Sequence, residues 1–201
     1  MGRFGAAERS TSETSIRVAI ELDGVGRASV DTGVGFLDHM LQLLARHSLI
    51  DIEMSGQGDL QVDDHHTVED CGIVLGRALD AALNDRAGIR RYGDVRIPMD
   101  EALAECAIDV SGRSLAVIRP RPSALEQADP WLELVPHMLE SLAREAGITL
   151  HLEVRGARSR HHHCEAMVKA FARALRQAIE PDPRLAEAGS AVVPSTKGSL
   201  R

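Results

Sequence analysis

Two short histidine clusters in this chain have the same composition and spacing. Both follow the pattern His-His-x-x-Glu, at His65, His66 and Glu69 and again at His161, His162 and Glu165. Residues four apart lie on one face of a helix, so the first histidine and the glutamate of each motif can present ligands to one metal ion. The second histidine points about 100° around the helix and must face a different direction. Each motif therefore predicts half of a metal site.

The two motifs belong to an internal repeat. The segment FLDHMLQLLAR at 36–46 aligns with LVPHMLESLAR at 134–144, and six of the eleven residues are identical. His39 and His137 occupy the same position of this segment, so a further histidine accompanies each motif. The repeat predicts one domain, residues 1–201, made of two similar halves at about 9–86 and 94–180, with a C-terminal tail at 181–201.

The repeat relates eight candidate metal ligands in two sets of four. They are His39, His65, His66, Glu69, His137, His161, His162 and Glu165. Eight ligands suit two ions with four protein ligands each, which leaves coordination positions for a substrate. The predicted division places one ion on His39, His65, Glu69 and His162, and the other on His137, His161, Glu165 and His66. Imidazole and carboxylate without thiolate suit Mn, Fe, Zn or Ni, and composition leaves the choice among them open.

A second group of residues indicates binding of an anion. Arg91, Arg113 and Lys169 are basic residues in a net-acidic chain, and the tail contains a small basic motif with Ser195 and Lys197. Guanidinium groups and glycine-flanked amides suit phosphate oxygens. Each residue alone is more often a solvated surface charge, whereas the group as a whole favours a phosphate-bearing substrate.

Regular elements must position these residues, and the hydrophobic periodicity predicts both helices and strands. Apolar residues at helical spacing predict helices at 37–46, 67–82, 138–146 and 165–179. Alternation predicts strands at 15–22, 50–54, 96–102, 104–110, 115–118 and 148–154, and residues 28–32 are a candidate hairpin partner for the first of these. Strand and helix runs in each half predict an α+β fold whose halves pack about a pseudo-twofold axis, with residues 84–93 as the linker.

Composition argues against several other classes of protein. The chain has 201 residues, a formal charge of −7 and 2% aromatic residues, so a basic surface or a base-stacking platform for nucleic acid is not expected. No apolar run reaches the ~18 residues of a transmembrane helix. Three widely spaced cysteines suit reduced thiols, and residues 1–15 lack the apolar segment of a secretory signal. A cytoplasmic protein without a nucleic-acid or membrane partner is predicted.

Several longer motifs together resemble one known family. They are Gly33-Val-Gly-Phe-Leu-Asp-His-Met-Leu41, Asp64-His-His-Thr-Val-Glu-Asp70, Asp109-Val-Ser-Gly-Arg113, the second histidine motif with Lys169-Ala-Phe-Ala-Arg173, and Pro194-Ser-Thr-Lys-Gly198. In this order they are similar to the imidazoleglycerol-phosphate dehydratase family. The similarity covers about residues 9–200, which is nearly the whole chain.

The resemblance implies a fold, an activity and an assembly. The duplicated α+β fold would resemble the second domain of ribosomal protein S5. The enzyme would be a hydro-lyase of histidine biosynthesis that converts D-erythro-1-(imidazol-4-yl)glycerol 3-phosphate to 3-(imidazol-4-yl)-2-oxopropyl phosphate. The resemblance further implies two Mn(II) ions per active site and a homo-oligomer of ~24 copies with active sites between subunits.

The resemblance also implies roles for individual residues. The family's metal ligands fall on the eight residues named above, and its substrate contacts fall on Glu13, Arg91, Arg113, Lys169, Ser195 and Lys197. The predicted catalytic residues are Glu13, Glu69 and Glu165. Because the reacting carbon has no neighbouring carbonyl, the substrate imidazole must carry the charge, and metal ions on its two nitrogens would stabilise it.

Two other functions stay open on the sequence alone. A metal-storage or metal-sensing protein would use the same eight ligands in closed sites without a substrate. A metal-dependent phosphohydrolase would release inorganic phosphate, whereas the dehydratase leaves the phosphate attached to its product.

Overall fold

The structure is a computed structural model that describes residues 2–120, 129–187 and 192–200. The elements of the first half are β1 (Phe4–Ser10), β2 (Thr14–Glu21), β3 (Ala28–Asp31), α1 (Gly35–Ser48), β4 (Asp51–Gly58) and α2 (His65–Leu83). Those of the second half are β5 (Tyr92–Met99), β6 (Ala102–Asp109), β7 (Leu115–Pro120), α3 (Trp131–Glu145), β8 (Thr149–Arg155) and α4 (Arg160–Ile179). A short helix, α5 (Pro183–Glu187), follows. The two halves have the same order of elements.

Each half builds a four-stranded sheet with the same strand order. The orders are β1-β2-β4-β3 and β5-β6-β8-β7, with β3 and β7 paired in parallel and the other pairs antiparallel. The predicted α+β fold with two similar halves is confirmed. The registers also align the halves residue by residue, since Gly5 lies opposite Ile20 and Gly93 lies opposite Ile108. Residues 88 positions apart are therefore counterparts in β1–β3 and β5–β7, whereas the offset between β4 and β8 is 98.

The predicted pairing of residues 28–32 is wrong. The strand forms as β3, but it pairs in parallel with β4 and not with β2. Both edges of β2 are already paired, one with β1 and the other with β4. No strand is predicted at the position of β1, because the sequence FGAAERS lacks the β-branched residues that are enriched in strands. The first strand of the described sheet therefore begins at Phe4.

All four predicted helices form, and each begins earlier than predicted. Hydrophobic periodicity misses the first turns of α2 and α4 because histidines occupy them. Ser159 caps α4, and its hydroxyl oxygen accepts the backbone N–H of His162 at 3.1 Å. The paired histidines of both motifs thus lie at helix ends. Among the described residues, no helix combines the length and apolarity needed to cross a membrane.

The four long helices lie between the two sheets. α2 packs against β1 and β2 of its own half, and α4 packs against β5 and β6. Their other sides meet the opposite half, where α1 packs on α4 and α2 packs on α3. Exchanging the halves converts one of these helix pairs into the other, as expected for a pseudo-twofold axis. α1 and α3 each carry one candidate histidine. The packing places each of them beside a helix of the other half that carries a His-His-x-x-Glu motif.

The linker after α2 holds the C-terminal tail. The Arg86 guanidinium, which belongs to a residue only 2% exposed, donates to the carbonyl oxygens of Ala146 at 2.9 Å and Leu200 at 3.3 Å. The backbone N–H of Gly88 donates to Val192 O at 2.9 Å. The described part of the tail is therefore fixed to the linker, and Arg86 joins both to the second half.

Two glycines allow a close approach of α2 to α3. A Cβ atom at Gly72 would lie 2.5 Å from the carbonyl oxygen of Met138, and one at Gly76 would lie 2.5 Å from that of Leu142. The two glycines are one helical turn apart and face the same helix. His137 precedes Met138 directly, so this contact sets the distance of His137 from α2.

Gly72→Ala should lower the free energy of unfolding by ~1–3 kcal/mol, because the added methyl group must force the two helices apart. Gly35→Ala is the matched control, since a Cβ atom at Gly35 meets no other part of the described chain within 4 Å. That control should be neutral or slightly stabilising. Thermal denaturation of the metal-free proteins measures both changes. Equal stability of Gly72→Ala and the wild type would show that the helix contact does not need the glycine.

Candidate active site

The first group of candidate ligands joins α1 to α4. His39 comes from α1, and His161 and Glu165 come from the first two turns of α4. His39 Nε2 lies 2.9 Å from Glu165 Oε1, and His161 Nε2 lies 2.8 Å from the same oxygen. The two imidazole rings stack with their centroids 5.6 Å apart. Two nitrogens and a carboxylate oxygen thus converge at one place, as the ligands of one ion would.

The second group joins α2 to α3 in the same way. His65 and Glu69 lie on α2, and His137 lies on α3. The rings of His65 and His137 stack 5.0 Å apart, and His137 Nε2 lies 3.4 Å from Glu69 Oε1. That nitrogen is buried and has no hydrogen-bond partner among the described residues. Burying such a group costs free energy, so its position fits a ligand that a metal ion would satisfy.

The predicted division of ligands between two ions does not hold within one chain. His39 accompanies His161 and Glu165, whereas the sequence analysis groups it with residues of α2. The sequence reveals which histidines repeat, but the partner of α1 is a helix of the opposite half. Each group contains three of the predicted ligands rather than four.

The second histidine of each motif faces away from these groups, as the helical spacing predicts. His66 Nδ1 lies 3.0 Å from Asp59 Oδ2 and 3.8 Å from Glu13 Oε2. His162 Nδ1 lies 2.8 Å from Glu101 Oε2. A hydrogen bond between Nδ1 and a carboxylate fixes the ring and leaves Nε2 as the nitrogen suited to bind a metal.

Hydrogen bonds with these carboxylates also shift the pKa values around His66 and His162. The bond with Asp59 raises the pKa of His66, and the bond with Glu101 raises the pKa of His162. The backbone N–H of Arg158 and the ring of His162 together lower the pKa of Glu101 to about 2. Glu101 is therefore a fixed anion that orients the imidazole of His162.

Glu165 has one more polar partner than its counterpart in the other group. Lys169 Nζ donates to Glu165 Oε2 at 2.5 Å, beside the two imidazoles at Oε1. Burial would raise the pKa of Glu165, but the hydrogen bonds from Lys169 and His39 outweigh it and lower the pKa to about 2. The repeat position of Lys169 beside Glu69 is Ile73. The two groups therefore share a ligand set but differ in charge.

Two of the predicted phosphate contacts lie together at one end of β5. Arg91 Nε donates to Asp109 Oδ1 at 2.7 Å, and its Nη1 donates to Pro194 O at 2.8 Å. Arg113 Nη2 approaches the Asp109 carboxylate at 3.4 Å. The hydrogen bond with Asp109 raises the pKa of Arg91. Asp109 thus orients two guanidinium groups beside the tail.

Lys169 lies at the opposite end of the same strand. Its Nζ is 3.2 Å from the sulfur of Met99, the last residue of β5, whereas Arg91 directly precedes the first residue. A strand of this length separates these ends by about 23 Å. Ser195 and Lys197 follow the tail residue that Arg91 holds, and Ser195 Oγ accepts the Lys197 backbone N–H at 3.2 Å. Within one chain, the structure does not bring the predicted phosphate contacts together.

Three carboxylates that contact predicted site residues were not among the residues predicted from the sequence. Asp59 and Glu101 each contact a histidine, and Asp109 contacts Arg91. Glu101 could have been found, because it lies 88 residues after Glu13 and occupies the same position of the repeat. Asp109 stands in the motif Asp109-Val-Ser-Gly-Arg113, which the sequence shows without revealing its contact with Arg91. Asp59 carries no comparable signal, since the fold alone brings it to His66.

Known proteins match this chain over nearly its whole length. A sequence model of the imidazoleglycerol-phosphate dehydratase family matches residues 32–175. The chain is 54% identical over 192 residues to the imidazoleglycerol-phosphate dehydratase of a Cereibacter sphaeroides strain, with 96% of each chain covered. It is 51% identical over 198 residues to that of Roseobacter denitrificans, covering 98% of this chain and 100% of the relative. This chain belongs to the imidazoleglycerol-phosphate dehydratase family. The resemblance seen in the motifs is confirmed.

Solved structures of imidazoleglycerol-phosphate dehydratases have the same fold. The crystal structure from Staphylococcus aureus matches with a TM-score of 0.77 at 34% identity, covering 89% of this chain and 99% of that one. The enzyme from Pyrococcus furiosus, solved in complex with (S)-C348, matches with a TM-score of 0.78 at 31% identity, covering 96% and 99%. Family membership makes this chain a hydro-lyase of histidine biosynthesis.

His163 lies inside the second motif, directly after its paired histidines, but is not one of the candidate ligands. It is 1% exposed, and neither ring nitrogen has a hydrogen-bond partner among the described residues. Burial lowers the pKa of His163, so the folded dehydratase holds this ring in its neutral form near neutral pH. Its repeat counterpart is Thr67, so the two halves differ at this position.

His163→Leu should make the metal-free dehydratase less sensitive to acid. Below the unfolded pKa of ~6.5, the unfolded chain binds a proton that the buried ring does not, so stability falls as the pH falls toward the lowered folded pKa. Leucine removes this contribution. Free energies of unfolding at about pH 7.5 and about pH 5.5 test the prediction for both proteins. Equal losses in variant and wild type would show that His163 does not contribute.

Proposed function

We propose that this chain removes water from D-erythro-1-(imidazol-4-yl)glycerol 3-phosphate in a metal-dependent step of histidine biosynthesis in the cytoplasm. The product is 3-(imidazol-4-yl)-2-oxopropyl phosphate. The proposal is carried by two matching groups of side chains, which are His39, His161 and Glu165, and His65, Glu69 and His137. Two such groups suit a substrate whose imidazole ring offers two nitrogens to metal ions.

Mn(II) ions, two per active site, are the proposed cofactors. Imidazole and carboxylate ligands suit Mn(II), and the buried Nε2 of His137 fits a ligand. When bound, the ions would act as Lewis acids toward the imidazole nitrogens of the substrate. Three protein ligands in each group leave positions for a fourth protein ligand and for the substrate.

His66 and His162 are the proposed fourth ligands, supplied to sites of neighbouring copies of the chain. Both lie outside the three-ligand groups of their own chain, and both have Nδ1 beside a carboxylate. Their side chains are 36% and 29% exposed, so a second copy can approach them. A homo-oligomer of ~24 copies with active sites between subunits would complete every group.

The substrate phosphate is proposed to bind basic residues from more than one copy. Arg91, Arg113 and the tail motif at 195–197 lie near one end of β5, and Lys169 lies near the other. A phosphate close to Lys169 can meet the first set only if a neighbouring copy provides it. Asp109 holds the Arg91 guanidinium with two hydrogen bonds and so fixes its orientation. Guanidinium groups are planar donors that suit phosphate oxygens.

Glu13 is the proposed proton-transfer residue. Its carboxylate is 54% exposed and lies 3.8 Å from His66 Nδ1, beyond hydrogen-bond distance. An accessible carboxylate beside a proposed metal ligand can take or return a proton at the reacting carbon. Glu69 and Glu165 would contribute to catalysis by holding the ions.

The protein supplied with Mn(II) should form the oxopropyl phosphate product, and Glu13→Gln should lower kcat by ~10²-fold or more, because an amide cannot exchange the proton. Substrate binding should be kept in this variant. Product formation and inorganic phosphate are both measured, with and without Mn(II). Glu8→Gln, at an exposed glutamate of β1, is the matched control and should retain activity.

Other outcomes of this assay identify the alternatives. Release of inorganic phosphate without the oxopropyl product would indicate a phosphohydrolase. Tight metal binding without turnover would indicate metal storage or sensing. Turnover of Glu13→Gln near the wild-type level would remove Glu13 from the mechanism.

Metal binding and assembly should be linked, because an ion held by two copies stabilises the assembled form. Chelation at neutral pH, or acidification below the unperturbed imidazole pKa of ~6.5, should give smaller species that Mn(II) restores. Light scattering or sedimentation measures the mass. His66→Gln should resemble the chelated protein, whereas His151→Gln, at an exposed histidine of β8, should not. Unchanged mass without metal would show that protein contacts alone hold the assembly.

A further inference from the structure

Asp70 is a buried carboxylate that receives hydrogen bonds from two strands. Its side chain is 8% exposed. Arg9 Nε donates to Oδ1 at 2.8 Å, and the hydroxyl of Thr14 donates to Oδ2. Arg9 lies on β1 and Thr14 begins β2, so Asp70 ties the first hairpin to α2.

The hydrogen bonds continue from Thr14 into the turn of this hairpin. The hydroxyl oxygens of Thr14 and Thr11 lie 3.3 Å apart. Thr11 Oγ1 accepts the backbone N–H groups of Glu13 at 3.1 Å and of Thr14 at 3.0 Å. The network therefore runs from a carboxylate on the motif helix to the backbone of Glu13.

The second half of the chain shows that the fold does not require this network. Ile97, Ala102 and Ala166 occupy the repeat positions of its three residues. Ala102 is 1% exposed and Ala166 is 0% exposed, so the same hairpin and helix pack there with apolar groups. Burying a charged carboxylate costs desolvation energy even when it is paired. The network is present in only one of the two halves, which indicates that it serves a purpose other than folding.

The glutamates carried by the two hairpin turns also differ in their surroundings. Glu101 occupies the repeat position of Glu13, and its carboxylate lies 2.8 Å from His162 Nδ1. In the first half, Asp59 holds His66 instead, and Glu13 stays 3.8 Å from that ring. The place of the Glu13 carboxylate therefore depends on the backbone of its turn.

We propose that Asp70 is a positioning residue for proton transfer by Glu13. Through Thr14 and Thr11 it fixes the turn, so the Glu13 carboxylate stays accessible and in place at the same time. A displacement of about 1 Å in a reacting group can lower a rate by ~10²-fold, so such an anchor matters for turnover. The inference rests on the proposed function, because that function assigns the proton transfer to Glu13.

A triple variant, Arg9→Ile with Thr14→Ala and Asp70→Ala, installs the residues of the second half. Because all three polar side chains are replaced together, none of them remains buried without its hydrogen-bond partners. We expect it to fold, bind Mn(II) and assemble like the wild type. Its kcat should fall by about 10-fold or more while KM stays within about threefold. Amide hydrogen exchange at Glu13 and Thr14 should become faster, because the acceptor of both N–H groups loses its anchor.

Glu13→Gln distinguishes positioning from a general structural effect. If Asp70 acts through Glu13, the triple change lowers kcat no further when Glu13→Gln is already present. An additive loss would overturn the proposal. A triple variant with wild-type kcat and wild-type exchange would also overturn it.

Thr14→Val is a milder second variant, since it removes only the hydroxyl that joins Asp70 to the turn. Should the triple variant fail to fold, Thr14→Val provides the same test. A lower kcat at unchanged KM with faster exchange at Glu13 supports the proposal, and unchanged values overturn it. Absence of turnover in the wild type would instead refute the proposed function, while hydrogen exchange would still decide whether Asp70 orders the turn.

Discussion

The packing of each half's helices against those of the other half is the constraint on which the candidate site depends. α1 lies on α4 and α2 lies on α3, so a single histidine from one half meets the histidine and glutamate of the other. Neither half holds three ligands of one group. The backbone of α3 lies so close to α2 that Gly72 has no room for a methyl group. The geometry of the candidate ligands is therefore set by a close-packed interior that cannot deform gradually.

The two candidate ligand groups are packed alike but differ in the charge of their surroundings. Lys169 binds Glu165, and Ile73 stands at the corresponding position beside Glu69. In the second group the Arg144 guanidinium is 4.0 Å from Glu69 and half exposed, so solvent screens it. In the proposed reaction, a phosphate-bearing substrate would be drawn toward the Lys169 end. The two candidate groups are thus nearly symmetric in geometry but not in charge.

The duplication provides a comparison within one molecule, because the same fold carries different residues at matching positions. Glu101 orients His162 in the second half, whereas Asp59 orients His66 in the first and Glu13 is left accessible. The polar network of Asp70 has only apolar counterparts. These differences concentrate around one hairpin turn. Since both halves fold alike, folding does not explain them.

The duplication, the candidate ligands, the four long helices and the α+β class could all be predicted from the sequence, because spacing and periodicity are local properties of the chain. The family followed from motifs of the same kind. Three features could not be predicted and are seen only in the folded chain: which histidine joins which motif, the pairing of β3 with β4, and the positions of Arg91 and Lys169 at opposite ends of β5. Such contacts join residues far apart in sequence. They depend on which helix faces and strand edges remain available for packing, which no local pattern contains.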